Sequence, residues 1–368
     1  MEDFLPIKGI DHVEFYVGNA KQAAHYYRTG FGFALSAYSG LEKGNRERAS
    51  YVMEQGKIRL VFSTALGPDH PMARHVHLHG DGVAVIALAV PDATIAYQET
   101  TRRGATGTIP PSQDNDDHGV YRYSAVKTYG DTIIKFVDRS EYNGSFAPGY
   151  DGRSRSDSSN GRQTLRAGLG HIDHVVGNVE LGAMNRWVSF FAGSMGFSQL
   201  VHFDDEDIST EYSALMSKVM LDGTGKVKFP INEPAEGERK SQIQEYLDYY
   251  CGPGVQHLAL STGDILETVT ELSANGIEFL HVPTTYYDEL EGRIGKIDEP
   301  TDKLSELGIL VDRDDEGYLL QIFTKPVQDR PTLFFEIIER HGSRGFGKGN
   351  FKALFESIER EQALRGNL

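Results

Sequence analysis

The sequence predicts an α+β protein in which one βαβββ module is written twice. Three observations predict this. "GIDHVEFYVGN" from Gly9 and "GHIDHVVGNVE" from Gly170 share Ile-Asp-His-Val, and both contain Val-Gly-Asn further on. The same kinds of segment follow each start in the same order, and a repeat of that span is to be read before single elements are. At 368 residues the chain is also long enough for two domains that each bury a core.

Each module opens on a strand that carries a histidine, His12 or His174. A helix follows, "AKQAAHYYRTGFGF" in the first copy and "VELGAMNRWVSFFAGSMGF" in the second. Both have an aromatic pair (Tyr26-Tyr27, Phe190-Phe191) and a Gly-Phe exit (Gly32-Phe33, Gly196-Phe197). Next come two β-rich runs, "ASYVMEQGKIRLVFST" and "YSALMSKVMLDGTGKVKFPINE". Their turns are expected at Gln55-Gly56 and Asp222-Gly223, where glycine supplies positive φ. "GDGVAVIALAVPDATIAYQETTRRGA" and "GPGVQHLALSTGDILETVTELSANGI" then read as a strand and a helix, with Asp92 and Asp264 as N-caps. Residues 151–168, rich in Ser, Gly, Arg and Asp, have little to bury and read as a linker. The predicted division is therefore a scaffold domain over 1–150, a linker over 151–168, and a catalytic domain over 169–368. The second half adds "KSQIQEYLDYY", with Ile243, Tyr246, Leu247 and Tyr250 on one helix face. The terminal "FKALFESIEREQALRGNL" repeats that pattern through Phe351, Leu354, Phe355 and Ile358, and suits a helix that covers a cavity.

The totals exclude several classes of function. No apolar run approaches the roughly 18–20 residues of a membrane helix, and the acidic N-terminus carries no secretory pattern. A single cysteine, Cys251, cannot form an internal disulfide, which suits a reducing cytoplasm. A net charge of −16 argues against nucleic acid, whose affinity comes largely from Lys and Arg neutralising phosphates. A small-molecule enzyme or binding protein remains.

Alternate residues of a strand share a face. His174 stands between Ile172 and Val176, His257 between Val255 and Ala259, and Glu336 between Phe334 and Ile338. Three polar groups thus interrupt three apolar faces, and burying them unpaired is costly. Two histidines and one carboxylate in one cavity make the facial triad of a non-haem iron(II) site. The first copy keeps His12 but has Val85 at the place of His257, and Lys135 or Phe136 at the place of Glu336. His174 therefore reads as a ligand and His12 as a remnant. The competing account makes Glu336 a buried partner of Arg340.

Three further stretches imitate sites. "HVHLH" puts His75, His77 and His79 on one strand face, but it precedes Gly80-Asp81-Gly82, where an exposed turn is expected. His171 would face away from His174. "GSRGFGKG" from Gly342 nearly fits a phosphate-binding loop, yet Gly349 stands where Ser or Thr should reach magnesium, so nucleotide binding is rejected. The acidic run Asp312–Glu316 reads as a solvated turn.

Paired βαβββ modules with a metal site in one copy resemble the vicinal oxygen chelate (glyoxalase-like) superfamily, which implies two open-barrel domains. More closely, "HIDHVVGNV", "KFPINEPA", "KSQIQEYL", "GVQHLAL", "GYLLQIFTKPVQDRPTLFFEIIERHG" and "GFGKGNFKALFESIE" resemble the 4-hydroxyphenylpyruvate dioxygenases of the bacterial type. The resemblance implies conversion of 4-hydroxyphenylpyruvate and O2 to homogentisate and CO2 in tyrosine catabolism. The steps are oxidative decarboxylation, ring hydroxylation and side-chain migration. It implies one Fe(II) per chain, held by His174, His257 and Glu336, and a homo-oligomer, dimer or tetramer. By local match, Phe323 and Phe351 resemble the pair that sandwiches the substrate ring. Phe346 and Asn350 lead into the covering helix. Ser217, Asn232, Gln242, Gln256 and Gln321 resemble the polar network for the phenol, with Pro230 shaping the wall. Gln256 raises a tension, because an ideal strand would turn it away from the metal when His257 faces it. The nearest rival activity is that of 4-hydroxymandelate synthase, which uses the same substrate and hydroxylates the benzylic carbon.

Overall fold

A computed structural model describes residues 3–152, 167–203, 215–235, 240–288 and 290–367. The first half runs β1 (Gly9–Tyr16), α1 (Ala20–Thr29), β2 (Ala34–Ser39), β3 (Arg48–Gln55), β4 (Ile58–Ala65), α2 (Pro71–His79), β5 (Gly82–Ala89) and α3 (Ala93–Arg102), then β6 (Gly107–Asp116), β7 (Gly119–Lys127), β8 (Ile133–Tyr142) and β9 (Asp151–Gly152). These nine strands form one sheet in the order β6-β7-β8-β5-β1-β4-β3-β2-β9. The first two residues assigned to the linker, Asp151 and Gly152, thus pair with β2 at the sheet edge. Most of the rest of that segment lies outside the described residues.

The second half runs β10 (Leu169–Asn178), α4 (Met184–Met195), β11 (Ser198–Phe203), β12 (Leu215–Leu221), β13 (Lys228–Pro234), α5 (Gln242–Tyr250), β14 (Gly254–Thr262) and α6 (Ile265–Ala274). Three short helices follow, α7 (Thr285–Asp288), α8 (Leu290–Ile294) and α9 (Thr301–Leu307), then β15 (Leu310–Asp314), β16 (Gly317–Phe323), β17 (Phe334–His341) and α10 (Phe351–Leu364). Its sheet order, β11-β12-β13-β10-β14-β17-β16-β15, repeats the first. In both, the histidine strand lies between a parallel and an antiparallel neighbour (β4 and β5, β13 and β14).

Local chemistry accounts for the elements. Asp92 accepts from the backbone N–H groups of Thr94 and Ile95, and Asp264 from that of Glu267, so both helices are capped as expected. Gly56 turns the β3–β4 hairpin at φ +57°, and a Cβ there would strike the Gly170 carbonyl at 2.5 Å. In the β12–β13 hairpin the positive φ falls on Gly225 (+73°) and not on Gly223. The reason is Asp222, whose carboxylate accepts from the N–H groups of Thr224 and Val227 and so lengthens the turn.

The halves share a core. Phe335 of β17 is fully buried, with its ring 5.1 Å from Phe31 and 5.6 Å from Tyr27 of the first half. Removing such a ring costs about 3–5 kcal/mol. Over the second barrel, Ile243, Tyr246, Leu247 and Tyr250 of α5 join Phe355 of α10 in one apolar cluster with Val219 and Phe346. The terminal helix therefore covers the barrel. No helix among the described residues is long and apolar enough to cross a membrane.

Two expectations fail here. "HVHLH" is helical, because Pro71 occupies the first turn of α2 and His70 caps it. His75 and His79, four residues apart, share its buried face, while His77 faces solvent. His79 Nδ1 donates to the Tyr250 carbonyl, and its Nε2 lies 2.9 Å from Asp131 Oδ2, joining the halves. Nor is the acidic run only a solvated turn. Asp314 accepts from the N–H groups of Arg344 and Gly345, and Asp312 from that of Gly349. Carboxylates thus occupy backbone donors of the loop that imitates a phosphate cradle.

Candidate metal centre

His174, His257 and Glu336 come from adjacent strands, β10, β14 and β17, and are 2%, 7% and 2% exposed. The parallel register of β14 and β17 pairs Ala259 with Glu336, and the antiparallel register of β10 and β14 pairs Ala259 with His174. One donor atom from each of the three side chains lies within 4.8 Å of the others. His174 Nε2 is 3.1 Å and His257 Nε2 3.4 Å from Glu336 Oε2.

The outer sides of the imidazoles are fixed by two β-bulges. Asp173 is the extra residue of β10, and Gln256 the extra residue of β14. Each immediately precedes a histidine and bonds its Nδ1, at 2.8 Å from Asp173 and 3.0 Å from Gln256. This resolves the tension over Gln256: it stands behind His257. Asp173 in turn accepts from Arg340 Nε and Nη2 at 2.8 and 2.9 Å, and from Lys228 at 3.2 Å. Arg340 is therefore the partner of Asp173 and not of Glu336. Gln321 Nε2 donates to Glu336 Oε1 at 2.8 Å, Asn350 Nδ2 to Gln321 Oε1 at 2.9 Å, and the Tyr286 hydroxyl to Asn350 Oδ1 at 2.6 Å.

With both Nδ1 protons directed outward, two Nε2 lone pairs and a carboxylate oxygen converge. Such an arrangement needs a positive charge between them, either a proton or a cation. Ligands at right angles and about 2.1 Å from a first-row ion lie about 3 Å apart, which matches the spacing here. Burial would raise the Glu336 pKa, but the imidazoles of His174 and then His257 overcome it and bring it down to about 2. Burial likewise opposes the charge on His174, yet Glu336 and Asp173 raise it above its usual value. His257 is lowered by burial.

The first half holds the same shell without the donors. His12 Nδ1 lies 2.6 Å from Asp11, the bulge residue of β1, and Arg139 donates twice to Asp11 at 2.8 and 2.9 Å. Phe146 meets His12 edge-on at 5.1 Å, as Phe346 meets His174 at 5.1 Å. Val85 stands for His257, and the Ala87–Lys135 register makes Lys135 the counterpart of Glu336. A lone imidazole beside a lysine is no metal site.

Comparison with known proteins agrees with this duplication. The model of the Glyoxalase/Bleomycin resistance protein/Dioxygenase superfamily matches residues 9–140 and again 171–322. Curated relatives named 4-hydroxyphenylpyruvate dioxygenase include those of Dictyostelium discoideum (48% identical over 98% of this chain and 100% of the relative), Tetrahymena thermophila (48%, 98% and 91%) and Caenorhabditis elegans (46%, 97% and 93%).

The chain belongs to the 4-hydroxyphenylpyruvate dioxygenase family.

None of those three relatives is bacterial. Among solved structures, a triple mutant of 4-hydroxymandelate synthase from Streptomyces coelicolor superposes with a TM-score of 0.86 at 30% identity, covering 97% of this chain and 100% of that one. An Mn(II)-bound glyoxalase from Novosphingobium aromaticivorans (TM-score 0.50, 11% identity, 91% of this chain and 83% of that one) shares the fold.

The structure brings several expected residues to the dioxygenase-family centre. Gln256 and Gln321 bond its donors. Phe346 packs on His174 at 5.1 Å, Phe323 lies 6.1 Å from His257, and Asn350 acts through Gln321. Asn232 and Pro230 of β13 are buried, and their register partners are Ser217 and Val219 of β12. Gln242, in the first turn of α5, lines a cleft with Gln256 and Phe334. Phe351 is half-buried at the start of α10. No hydrogen bond or ring contact joins Ser217, Pro230, Asn232 or Gln242 to the three donors among the described residues. Sequence reasoning missed Asp173, Lys228 and Phe334, whose ring stacks on His257 at 4.7 Å. A signal was available for Asp173, since "IDHV" occurs twice and an arginine follows four residues after both Lys135 and Glu336.

Proposed function

We propose that the chain is a 4-hydroxyphenylpyruvate dioxygenase that holds one iron(II) through His174 Nε2, His257 Nε2 and Glu336, and releases homogentisate and CO2. The observation that carries the reading is the convergence of those three donors with both Nδ1 protons turned away. Relatives named dioxygenase at 43–48% identity favour ring hydroxylation over the benzylic hydroxylation of the mandelate synthase, whose mutant structure is 30% identical.

Iron(II) supplies the redox chemistry with O2 that no side chain here can supply. The protein's part is to hold, orient and dry. The chain from Tyr286 through Asn350 and Gln321 to Glu336 fixes the carboxylate, leaving Oε2 toward the imidazoles. Asp173, anchored by Arg340, keeps the His174 proton on Nδ1. His174, His257 and Glu336 would hold the ion from one side, and the ion would supply binding of the 2-oxo acid and of O2. Phe323, Phe334 and Phe346 make the surroundings apolar, which excludes water and strengthens each polar contact. In this reading Phe323 and Phe351 flank the substrate ring, Ser217, Asn232 and Gln242 supply the amides and hydroxyl a neutral phenol requires, and Gln256 and Gln321 act from behind through His257 and Glu336. Pro230 and Asn350 shape the wall. We further place the enzyme in the cytoplasm, in keeping with a free, exposed Cys251, and expect a homo-oligomer from the family resemblance.

Metal stoichiometry tests the centre. Anaerobically loaded wild type should carry one iron(II) per chain and Glu336→Ala almost none, with unfolding still cooperative. Full loading and full turnover of Glu336→Ala would remove Glu336 from the ligand set.

A further inference from the structure

Among the described residues, two groups of His and Glu side chains bring three donor atoms within 4.8 Å of one another. The first is the metal centre. The second is Glu299, Glu339 and His341. Glu339 and His341 stand an odd number of places from Glu336 in a regular stretch of β17, so they face away from the barrel cavity. His341 Nε2 lies 2.9 Å from Glu339 Oε1 and 3.2 Å from Glu299 Oε1, which comes from the segment before α9. Neighbouring elements hold the three in place. The Ile265 N–H, at the start of α6, donates to Glu339 Oε2 at 2.7 Å. Tyr318 of β16 stacks on the His341 ring at 4.4 Å, with the planes 4° apart, and its hydroxyl donates to Glu299 Oε1 at 3.4 Å.

Two carboxylates around one imidazole carry a net negative charge even when the imidazole is protonated. No Lys or Arg pairs with Glu299 or Glu339 among the described residues. One Nε2–H can satisfy only one of the two oxygens that approach it. Glu299 Oε2 is buried and has no hydrogen-bond partner among the described residues, a costly state for a carboxylate oxygen. Asp138, Asp222 and Glu233 are buried carboxylates that also have no ion pair among those residues, but backbone N–H groups donate to each. A divalent cation would neutralise the group and give Glu299 a partner. Two carboxylates and an imidazole, with donors about 3 Å apart, are the ligand types and spacing of a first-row ion. The His341 side chain, 31% exposed, leaves the ion a way in.

We propose that Glu299, Glu339 and His341 form a second metal site, for a divalent first-row ion of the zinc(II) type. The ion ties the segment before α9 to the end of β17 and serves structure. Iron(II) stands below zinc(II) in the affinity order of such donors, so iron loading stays at one per chain. The inference does not depend on the reaction at the first centre.

The test is anaerobic dialysis of the iron-loaded full chain against low-micromolar zinc(II), followed by metal analysis. Anomalous diffraction at the iron and zinc edges then locates each ion. The expected result is one zinc per chain in addition to one iron, with the zinc between Glu299, Glu339 and His341. Zinc should also raise the thermal unfolding midpoint in a concentration-dependent way. Glu299→Gln keeps an acceptor for the Tyr318 hydroxyl and should bind zinc at least tenfold more weakly, with iron unchanged. His341→Gln, at the exposed end of the strand, should do the same should the first variant fold poorly. No zinc at this group, zinc bound only by displacing iron, or unchanged zinc affinity in a folded Glu299→Gln would each overturn the proposal.

Discussion

Replacing Asp173 by Asn separates holding a metal ligand from holding the fold. Asp173 is 3% exposed and accepts from His174, Arg340 and Lys228. Its pKa lies well below the usual carboxylate value, because bonds from His174 and Arg340 outweigh a burial effect of opposite sign. The residue is therefore charged at neutral pH. Asparagine keeps one acceptor for His174 but removes the charge that anchors Arg340 and turns an N–H toward a donor. Loss of one partner of a buried pair costs about 3–5 kcal/mol. Arg340 is 18% exposed and water relieves part of that, so the lower end is expected. Loss of the group orienting a metal-bound imidazole weakens metal binding about 10–100-fold, or about 1.4–2.8 kcal/mol. The duplication supplies a matched control. Asp11 has the same bulge position, the same histidine and the same bidentate arginine, at 6% exposure, but no metal donors beside it. Asp11→Asn should lose similar stability in denaturant unfolding and leave iron(II) affinity, read anaerobically against a chromophoric chelator, within twofold. Asp173→Asn should lose both. Equal metal affinity in the two variants would show that Asp173 is only a structural anchor and refute the argument.

Two other outcomes follow from the geometry. His12→Ala should leave iron at one per chain, checked by metal analysis after anaerobic loading, and a fall to zero would mean the wrong copy had been chosen. His75 is buried and its pKa is lowered to about 4, by burial first and by His79 second. Because the unfolded state takes up a proton near 6.5 and the folded state does not, stability is full above pH 6.5 and falls as pH drops toward 4. The loss amounts to about 3 kcal/mol. His75→Gln should flatten that slope in urea unfolding between pH 6.5 and 4.5, and an unchanged slope would assign the acid loss elsewhere.

Much of this arrangement was legible in the chain. His174, His257 and Glu336 interrupt apolar strand faces, and the sister copy has Val85 and Lys135 at two of the three places, so comparing the copies marked the donors. The shell around them was harder to read. Strand alternation turns Asp173 and Gln256 away from the cavity, and only the bulges, which a one-residue register shift creates, explain how each meets its histidine from behind. Spacing of two made "HVHLH" look like a strand, but proline fits the first helical turn, and tertiary contact with Tyr250 then buries His79. Asp312 and Asp314 read as solvated because their partners, backbone N–H groups 37 and 31 residues later, leave no trace in composition.

The most direct test of the central claim is product analysis. Protein reconstituted with iron(II) is supplied with 4-hydroxyphenylpyruvate and O2, and the products are separated by chromatography. Homogentisate with one equivalent of CO2 is the predicted result. 4-Hydroxymandelate would keep the fold and the three donors but contradict the assigned reaction, and no turnover by fully loaded protein would contradict it outright.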